Sequence, residues 1–302
     1  MPRLLALEWN DTEARGAVAS TRAGRVALEH AFTVDLRPEQ PGAEVEPADV
    51  QRRIAAACAA RRLTKIGSLV AVGHGDVELR RLSLPPAPDE ELPDLVRFQA
   101  TREFNALGES WPLDFLSLGD DPEQPRTVLA AAASPEMVET TQSACQTAGL
   151  KLARIVLRPC ATASLVCRRH PPQPVQVRLL IELLDDEADL TVTVAQRAVF
   201  LRRARLHGDP LTNADAAEAL VSEARRTMVA AQNQMRGQRV DTIWLCGAAP
   251  EHVALADSIR DQFPVSLELF DPFEGLGLEG DLRRSVPEHP ERFAPLVGML
   301  SD

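Results

Sequence analysis

Lysine is almost absent from this chain of 302 residues, which contains only Lys65 and Lys151. Neither lysine follows a glycine or precedes a serine or threonine, although a phosphate-binding P-loop needs both. The chain also has no His-Glu-x-x-His pattern and no Gly-x-Ser-x-Gly pattern. A P-loop is therefore excluded, and neither a zinc peptidase nor a hydrolase with a nucleophile elbow finds its motif here.

Long apolar runs and paired cysteines are missing as well. The longest apolar stretches, such as 128–133, are far shorter than the roughly 18 residues that cross a bilayer, and the N-terminus lacks the apolar core of a signal peptide. We therefore expect a cytoplasmic chain without its own transmembrane segment. The five cysteines include no Cys-x-x-Cys pair, so we expect buried, unpaired thiols and no disulfide framework or zinc site. They are Cys58, Cys145, Cys160, Cys167 and Cys246.

Acidic residues outnumber basic residues, at 44 Asp and Glu against 33 Lys and Arg, which gives a formal net charge of −11. This excess repels the phosphates of nucleic acid, so we expect no nucleic-acid partner. Hydrophobic residues make up 45% and charged residues 25% of the chain. That composition is typical of a globular protein, and the length fits about two domains.

The first 72 residues predict three strands, a helix and a fourth strand. The strands at 3–9, 14–20 and 25–34 are separated by turns at Asn10-Asp11 and Ala23-Gly24. An apolar stripe with helical spacing over 47–62 predicts a helix that begins at Pro47, and 66–72 predicts a buried strand. The predicted order is therefore βββαβ.

The same order returns in the second half of the chain. Strands are predicted at 177–184, 190–195 and 199–206, and a buried strand at 240–245. Between the third and fourth strands, Thr212 and Asp215 form a predicted capping box at the start of a helix of more than five turns. A repeated βββαβ unit predicts an α/β fold made by duplication, with a cleft between its two halves.

Additional chain separates the two repeats. It begins in the proline-rich segment 84–88, and it predicts a helix at about 90–106, a strand at 128–132 and a helix from Ser134 as N-cap to Gly149. A strand at 152–157 and a helix at 160–168 then return the chain to the first half. We therefore divide the chain into three parts. They are a first half (1–79 and 150–172), an inserted subdomain (80–149) and a second half (173–302).

Four segments, 82–104, 128–157, 223–228 and 243–271, resemble in their order and spacing the actin-like ATPase superfamily. The resemblance is to the PilM-like proteins of type IV pilus assembly, with the GspL-like proteins of type II secretion and FtsA as relatives. It implies a duplicated RNase H-like fold whose two halves flank a cleft, with a small α+β subdomain inserted in the first half.

The resemblance also implies a nucleotide cleft, but its motifs are degenerate here. The first phosphate loop of the family, Asp-x-Gly, aligns with Glu8-Trp9-Asn10, and the second aligns with Glu182 and the two leucines after it, without glycine. Only Gly247 remains of the glycine pair on the adenosine side. Glu223 and Arg226 match family positions near the cleft.

These losses argue against nucleotide chemistry, because a backbone approaches phosphates closely only where glycine removes the Cβ. Asp185, Asp186 and Glu187 add negative charge where a polyphosphate would bind. We therefore expect a pseudo-ATPase scaffold with no catalytic residue, no metal and no bound cofactor. The alternative is an active ATPase that binds Mg²⁺ and ATP with Glu8 and Glu182.

For partners, the resemblance implies a short cytoplasmic peptide from a membrane-anchored PilN-like protein and other components of a pilus or secretion platform. We expect that peptide beside the inserted subdomain, where Leu95, Phe98 and Phe104 offer apolar contacts; the alternative is that both phenylalanines belong to the core. Two routes to the inner membrane fit the sequence. Either the partner recruits the chain, or the chain continues beyond Asp302 into a membrane segment.

Overall fold

The fold was analysed in a computed structural model, which describes residues 3–22, 25–38, 45–105, 107–108, 110–119, 121–173, 176–235 and 237–301. The predicted turn at Ala23-Gly24 lies outside the described residues, as does Ala106 at the end of one predicted helix. The chain forms two compact units, one of Met1–Val72 with Gln142–Asp302 and one of Gly73–Thr141. The first unit contains both βββαβ repeats, and the predicted three-part boundaries stay a prediction.

The first unit has two sheets and five complete helices among its described residues. Its strands are β1 (Arg3–Trp9), β2 (Glu13–Arg22), β3 (Arg25–Asp35), β4 (Gly67–Val72), β8 (Lys151–Leu157), β9 (Val177–Leu184), β10 (Glu187–Val194), β11 (Arg197–Arg205), β12 (Thr242–Cys246), β13 (Ser266–Phe270) and β14 (Gly277–Leu278). Its helices are α1 (Pro47–Ala60), α4 (Arg158–Arg169), α5 (Ala214–Gln234), α6 (Val253–Gln262) and α7 (Ala294–Ser301). The predicted βββαβ order is confirmed twice, as β1-β2-β3-α1-β4 and as β9-β10-β11-α5-β12.

The first sheet has the strand order β14-β3-β2-β1-β4-β8. Its central strand β1 pairs antiparallel with β2 and parallel with β4. Side chains alternate across β1, so that Leu5 and Leu7 pack with Ile54 and Cys58 of α1 while Ala6 points to the other face. Glu8 shares that other face with Ala6.

The second sheet has the order β11-β10-β9-β12-β13. Leu179 and Ile181 of β9 pack in the core that contains α5 and α6, while Leu180 packs on the opposite face. Alternation places Glu182 on the same face as Leu180. We call this face of the second sheet, and the face of the first sheet that bears Ala6, the inner faces.

The helix α5 begins one residue later than the predicted capping box requires. Asn213 is its N-cap, and the Oδ1 atom of Asn213 accepts hydrogen bonds from the backbone N–H groups of Asp215 at 2.9 Å and Ala216 at 3.2 Å. The prediction of Thr212 as the cap is therefore wrong. Asparagine caps a helix at least as well as threonine, so composition alone did not separate the two.

Helices α4 and α7 share one buried core with both inner faces. This central core joins Ala6 of β1 and Leu180 of β9 to Leu165 of α4 and Leu296 of α7. The two helices approach closely at Gly298, where a Cβ would lie 2.3 Å from the carbonyl oxygen of Ala161. The central core therefore fixes the N-terminal ends of α4 and α7 between the two sheets.

The second unit is a three-stranded sheet with one helix packed on it. Its strands β5 (Val77–Leu84), β6 (Leu113–Ser117) and β7 (Arg126–Ala133) have the order β5-β7-β6, and its helix is α2 (Leu92–Glu103). Val96 and Ala100 of α2 pack with Leu82 and Val128 in its core. Helix α3 (Pro135–Thr147) begins in this unit and ends in the first. The predicted cap of α3 is confirmed, because the Ser134 Oγ accepts a hydrogen bond from the backbone N–H of Met137 at 3.1 Å.

The five cysteines all lie among the described residues, and no two of them form a disulfide. Four are buried as predicted, whereas Cys160 is partly exposed near the start of α4.

Candidate functional site

The two strand-end carboxylates, Glu8 and Glu182, both lie on the inner faces of their sheets. Glu8 is only 4% exposed, and its Oε1 lies 3.1 Å from the Nε of Arg15, the residue directly opposite it on β2. The same Arg15 Nε lies 3.3 Å from Glu13 Oε1. Arg15 therefore neutralises carboxylates of its own hairpin.

Glu182 has a different environment. It is 5% exposed and accepts a hydrogen bond from the Thr162 hydroxyl of α4 at 3.0 Å. Its cross-strand neighbour on β10 is Asp189, another acid. Burial raises the pKa of Glu182 to about 8; Arg158 opposes that rise, whereas Asp189 and Glu8 add to it. Glu182 is therefore largely protonated at neutral pH.

Arg158 and Asp189 form a buried ion pair beside these two carboxylates. The Oδ2 of Asp189, which is 1% exposed, accepts hydrogen bonds from Arg158 Nε at 3.1 Å and Nη2 at 2.9 Å. Burial lowers the pKa of Arg158, but the charges of Asp189, Glu182 and Glu8 outweigh that effect and raise it. The guanidinium at the first residue of α4 therefore stays charged among three acids.

Asn10 closes the turn that aligns with the first phosphate loop. Its Oδ1 accepts hydrogen bonds from the backbone N–H groups of Thr12 at 2.9 Å and Glu13 at 2.8 Å, and from the Thr12 hydroxyl at 2.9 Å. A phosphate loop offers such N–H groups to its ligand. In this chain the Asn10 side chain already satisfies both.

Arg292 joins that turn to the corresponding turn of the second sheet. Asp185, which has a φ of 54°, lies in the tight turn between β9 and β10. Its Oδ1 accepts a hydrogen bond from Arg292 Nη2 at 2.5 Å, while Arg292 Nη1 lies 3.5 Å from Glu13 Oε1. The carbonyl oxygen of Arg292 accepts a hydrogen bond from Arg15 Nη1 at 2.6 Å. One residue thus contacts both hairpins.

The side chains of this region do not fit a nucleotide polyphosphate. Each guanidinium already has a carboxylate partner, and the carboxylates outnumber the guanidiniums. Glu8 and the Oδ1 of Asp189 accept no hydrogen bond within the described residues, so the surplus consists of acceptors and is negative, which repels phosphate. In the described part of the chain, no three His, Cys, Asp or Glu side chains are placed to hold a metal ion. The acids are Glu8, Glu13, Glu182, Asp185 and Asp189, and the guanidiniums are Arg15, Arg158 and Arg292.

The other residues predicted around the cleft have structural environments of their own. Gly247 has a φ of +84°, and a Cβ there would lie 3.0 Å from the carbonyl oxygen of Leu183 on the neighbouring strand. Glu223 Oε1 accepts a hydrogen bond from Arg226 Nη1 at 2.6 Å, and Glu223 Oε2 lies 2.6 Å from Arg202 Nη2. Arg202 is opposite Leu190, on the face of the second sheet that packs against α5. The structure therefore brings Glu8 and Glu182 together on the inner faces and places Glu223 and Arg226 on the outer side of the second sheet.

The three residues predicted for peptide contact differ in exposure. Phe104 is buried in the core of the second unit and Leu95 packs partly against that core. Phe98 is 62% exposed on α2, with the Arg102 guanidinium carbon 5.7 Å from its ring centroid. The alternative that both phenylalanines are core residues is therefore wrong for Phe98.

Sequence reasoning missed Arg15, Arg158, Asp189 and Arg292. Asp189 had a usable signal, because Asp189, Thr191 and Thr193 alternate with apolar residues and thus share one face of a strand. For Arg292, which is 277 residues from its partner Arg15, nothing in the local pattern indicates a contact.

Among the described residues, no helix is both long enough and apolar enough to cross a membrane.

No protein-family model and no curated protein matches the chain. Among solved structures, a PilM–PilN type IV pilus biogenesis complex is similar, with a TM-score of 0.76 and 22% identity over 98% of this chain and 97% of that one. The cytoplasmic domain of EpsL, an inner-membrane component of the type II secretion system of Vibrio cholerae, has a TM-score of 0.55 and 13% identity over 99% and 95%. A Bacteroides thetaiotaomicron protein with an actin-like ATPase fold and unknown function has a TM-score of 0.51 and 8% identity over 89% and 91%. The chain therefore has the actin-like ATPase fold, and its resemblance to PilM-like proteins is confirmed at the level of the fold.

Proposed function

We propose that this chain is an actin-like scaffold on the cytoplasmic side of a type IV pilus or type II secretion platform, and that it does not hydrolyse ATP. The observation that carries this proposal is the ion-pair cluster at the two hairpins. Arg15, Arg158 and Arg292 are each paired with a carboxylate there, and the Asn10 side chain accepts hydrogen bonds from the N–H groups of Thr12 and Glu13. The likeness to the PilM–PilN complex and to the EpsL domain supports the choice of machinery.

A thermal shift assay with Mg-ATP tests the nucleotide part. A ligand at a hundredfold excess over its Kd stabilises a protein by about 2.7 kcal/mol, which raises Tm by several degrees at this size. We expect no shift beyond that of MgCl₂ alone at millimolar nucleotide. A large shift that needs both Mg²⁺ and ATP would support the alternative, an active ATPase that uses Glu8 and Glu182.

For the partner, we propose the cytoplasmic segment of a membrane-anchored PilN-like protein, with other platform components binding the same assembly. Phe98 is the apolar side chain on which we place this contact, because it is large, exposed and on the outer side of α2. Burying one such anchor contributes roughly 1.5 to 3 kcal/mol, which corresponds to about 10- to 150-fold in Kd.

Calorimetric titration with a synthetic peptide tests this contact. The peptide is the N-terminal cytoplasmic segment of a PilN-like protein encoded in the same genome. We expect Phe98→Ala to weaken binding at least tenfold and Leu116→Ala, another exposed apolar side chain of the same unit, to leave it unchanged. Hydrogen exchange gives a second measurement, and peptide-induced protection confined to residues 175–270 would contradict the proposed site.

We place the protein in the cytoplasm, held at the inner membrane by this partner or by a C-terminal extension. Cell fractionation with and without the partner separates these routes. Loss of membrane association without the partner supports recruitment, whereas about 20 apolar codons beyond residue 302 of the gene would support an anchor in the same chain.

A further inference from the structure

Arg292 is a charged residue that is mostly buried although it lies in a short turn between two elements. It lies in a single 3-10 turn, Pro290–Phe293, immediately before α7. The next residues, Phe293 and Ala294, are buried in the central core, so their packing fixes the backbone at Arg292. The Arg292 side chain is mostly buried, with 20% exposure.

The contacts of Arg292 reach both sheets at the ends of their first hairpins. Its guanidinium binds Asp185 of the β9–β10 turn and lies within 3.5 Å of Glu13 at the start of β2. Its carbonyl oxygen accepts the hydrogen bond from Arg15 Nη1, which ties it to β2 a second time. Burial lowers the pKa of Arg292, but Asp185 and Glu13 together raise it, so the guanidinium remains charged.

We infer that Arg292 is a built-in clasp, a resident cation from the C-terminal segment that holds the β1–β2 and β9–β10 hairpins together with no nucleotide between them. The inference rests on the proposed function in one respect, namely that no bound nucleotide performs this bridging. Arg15 contacts Glu13 within its own hairpin, whereas Arg292 is a cation that contacts both Glu13 and Asp185 and so lowers the repulsion between these two acids. The C-terminal turn supplies that cation, and the two halves are therefore held in one arrangement by the chain itself.

This arrangement has a consequence for regulation of the scaffold. In a fold whose halves are bridged by a nucleotide, exchange of that nucleotide changes how firmly the halves are held together. In this chain the bridge is covalently part of the protein, so a partner that competes for Arg292, Asp185 or Glu13 would weaken it, while the central core would still join the two sheets. The two hairpins should consequently show the same protection from hydrogen exchange with and without Mg-ATP.

Hydrogen exchange measured by mass spectrometry tests the clasp. In Arg292→Ala we expect exchange of peptides covering residues 9–16 and residues 183–188 to rise together, by about tenfold or more. Arg260→Ala, which removes an exposed arginine paired with Asp257 on α6, is the matched control and should change neither peptide. Guanidinium or methylguanidinium at low millimolar concentration should partly restore protection in Arg292→Ala, because the ion can enter the space left between the two acids.

Asp185→Asn removes the other end of the clasp without touching the C-terminal segment, so it serves even if Arg292→Ala does not fold. Hydrogen exchange of the same two peptides should rise in this variant, and exchange in the double variant should be no faster than in either single variant. The inference is overturned if exchange rises at only one hairpin, at neither, or additively in the double variant.

The two experiments can fail separately. An Mg-ATP thermal shift in the wild type together with faster hairpin exchange in Arg292→Ala would support the bridge by Arg292 but contradict the proposal that no nucleotide lies between the hairpins. Absence of a shift with unchanged hairpins would do the opposite.

Discussion

Glu8 and Glu182 hold the same place in the two βββαβ repeats, yet their charges are balanced in different ways. The residue opposite Glu8 on the neighbouring strand is Arg15, whereas the residue opposite Glu182 is Asp189. A cross-strand pair of opposite charges is neutral without a third group, whereas two acids on neighbouring strands repel each other. Arg158 from α4 neutralises Asp189, and Glu182 is left with the Thr162 hydroxyl and a proton.

The two repeats balance their buried acids in two different ways. Three buried carboxyls, Glu8, Glu182 and Asp189, face two guanidiniums, Arg15 and Arg158, so the acids are in excess and a proton on one of them lowers the repulsion. Burial and like charge select Glu182. A proton on Glu182 and the two arginines thus act on three acids, of which the resemblance assigns Glu8 and Glu182 to the nucleotide cleft.

The Arg158–Asp189 pair carries the largest predicted effect. Asp189→Ala leaves the Arg158 guanidinium buried without its partner, and breaking a buried ion pair in this way costs about 3 to 5 kcal/mol. Urea unfolding should show that loss in the free energy of unfolding. Asp257→Ala, which breaks an exposed pair on α6, is the control and should cost less than about 1 kcal/mol. Equal effects of the two variants would mean that Asp189 is not a buried partner.

The proton on Glu182 predicts a dependence of stability on pH. The pKa of Glu182 is about 8 in the folded chain against 4.5 for an unperturbed carboxyl, so the folded state binds the proton more tightly. The resulting stabilisation is complete below pH 4.5 and is lost as the pH rises to about 8, by up to ~1.4 kcal/mol per pH unit. The free energy of unfolding of wild type minus that of Glu182→Gln should fall across this window.

Glu8→Gln is the matched control for that experiment. It removes a carboxylate that lies against Arg15, so it should destabilise the chain by about 1 to 3 kcal/mol at pH 7. It should keep most of the pH slope, because Glu182 is unchanged. A Glu182→Gln variant with the wild-type slope would show that Glu182 holds no proton near neutral pH.

The Gly247→Ala variant tests whether glycine is required at this position by the close approach of the Leu183 carbonyl oxygen. Gly247→Ala would force a Cβ into the left-handed region and against the Leu183 carbonyl, which together should cost about 2 to 4 kcal/mol. Gly237→Ala has a similar φ of +89° with no atom within 4 Å, so it isolates the backbone contribution of about 1 to 2 kcal/mol. Thermal unfolding without nucleotide measures both, and equal losses would remove the packing explanation.

The sequence predicted the repeat because alternation in β1 and β9 and the helical stripes of α1 and α5 are local patterns. The family resemblance, and not the strand pattern, assigned Glu8 and Glu182 to one degenerate cleft. The sequence did not predict the α5 cap, where Thr212 and Asn213 are adjacent candidates, or the strands β5 and β6. The contacts of Arg292 could not be predicted from the sequence, because they depend on how α7 packs in the central core and not on any pattern around residue 292.

The Glu223–Arg226 ion pair lies on the outer side of the second sheet, whereas the cluster around Glu182 is buried on the inner face. We expect its removal to have the smallest effect on stability. Arg226 is 66% exposed, and Glu223 retains Arg202 when Arg226 is removed. Exposed pairs three residues apart on a helix contribute about 0.2 to 0.5 kcal/mol, so Arg226→Ala should lower the free energy of unfolding by no more than that. Arg260→Ala, whose partner Asp257 is also three residues away on a helix, should behave the same way in urea unfolding. Because the proposed scaffold binds no nucleotide, Mg-ATP should leave both variants as unaffected as the wild type. A stability loss above about 2 kcal/mol in Arg226→Ala alone would give this arginine a role on the outer side of the second sheet that its observed contacts do not explain.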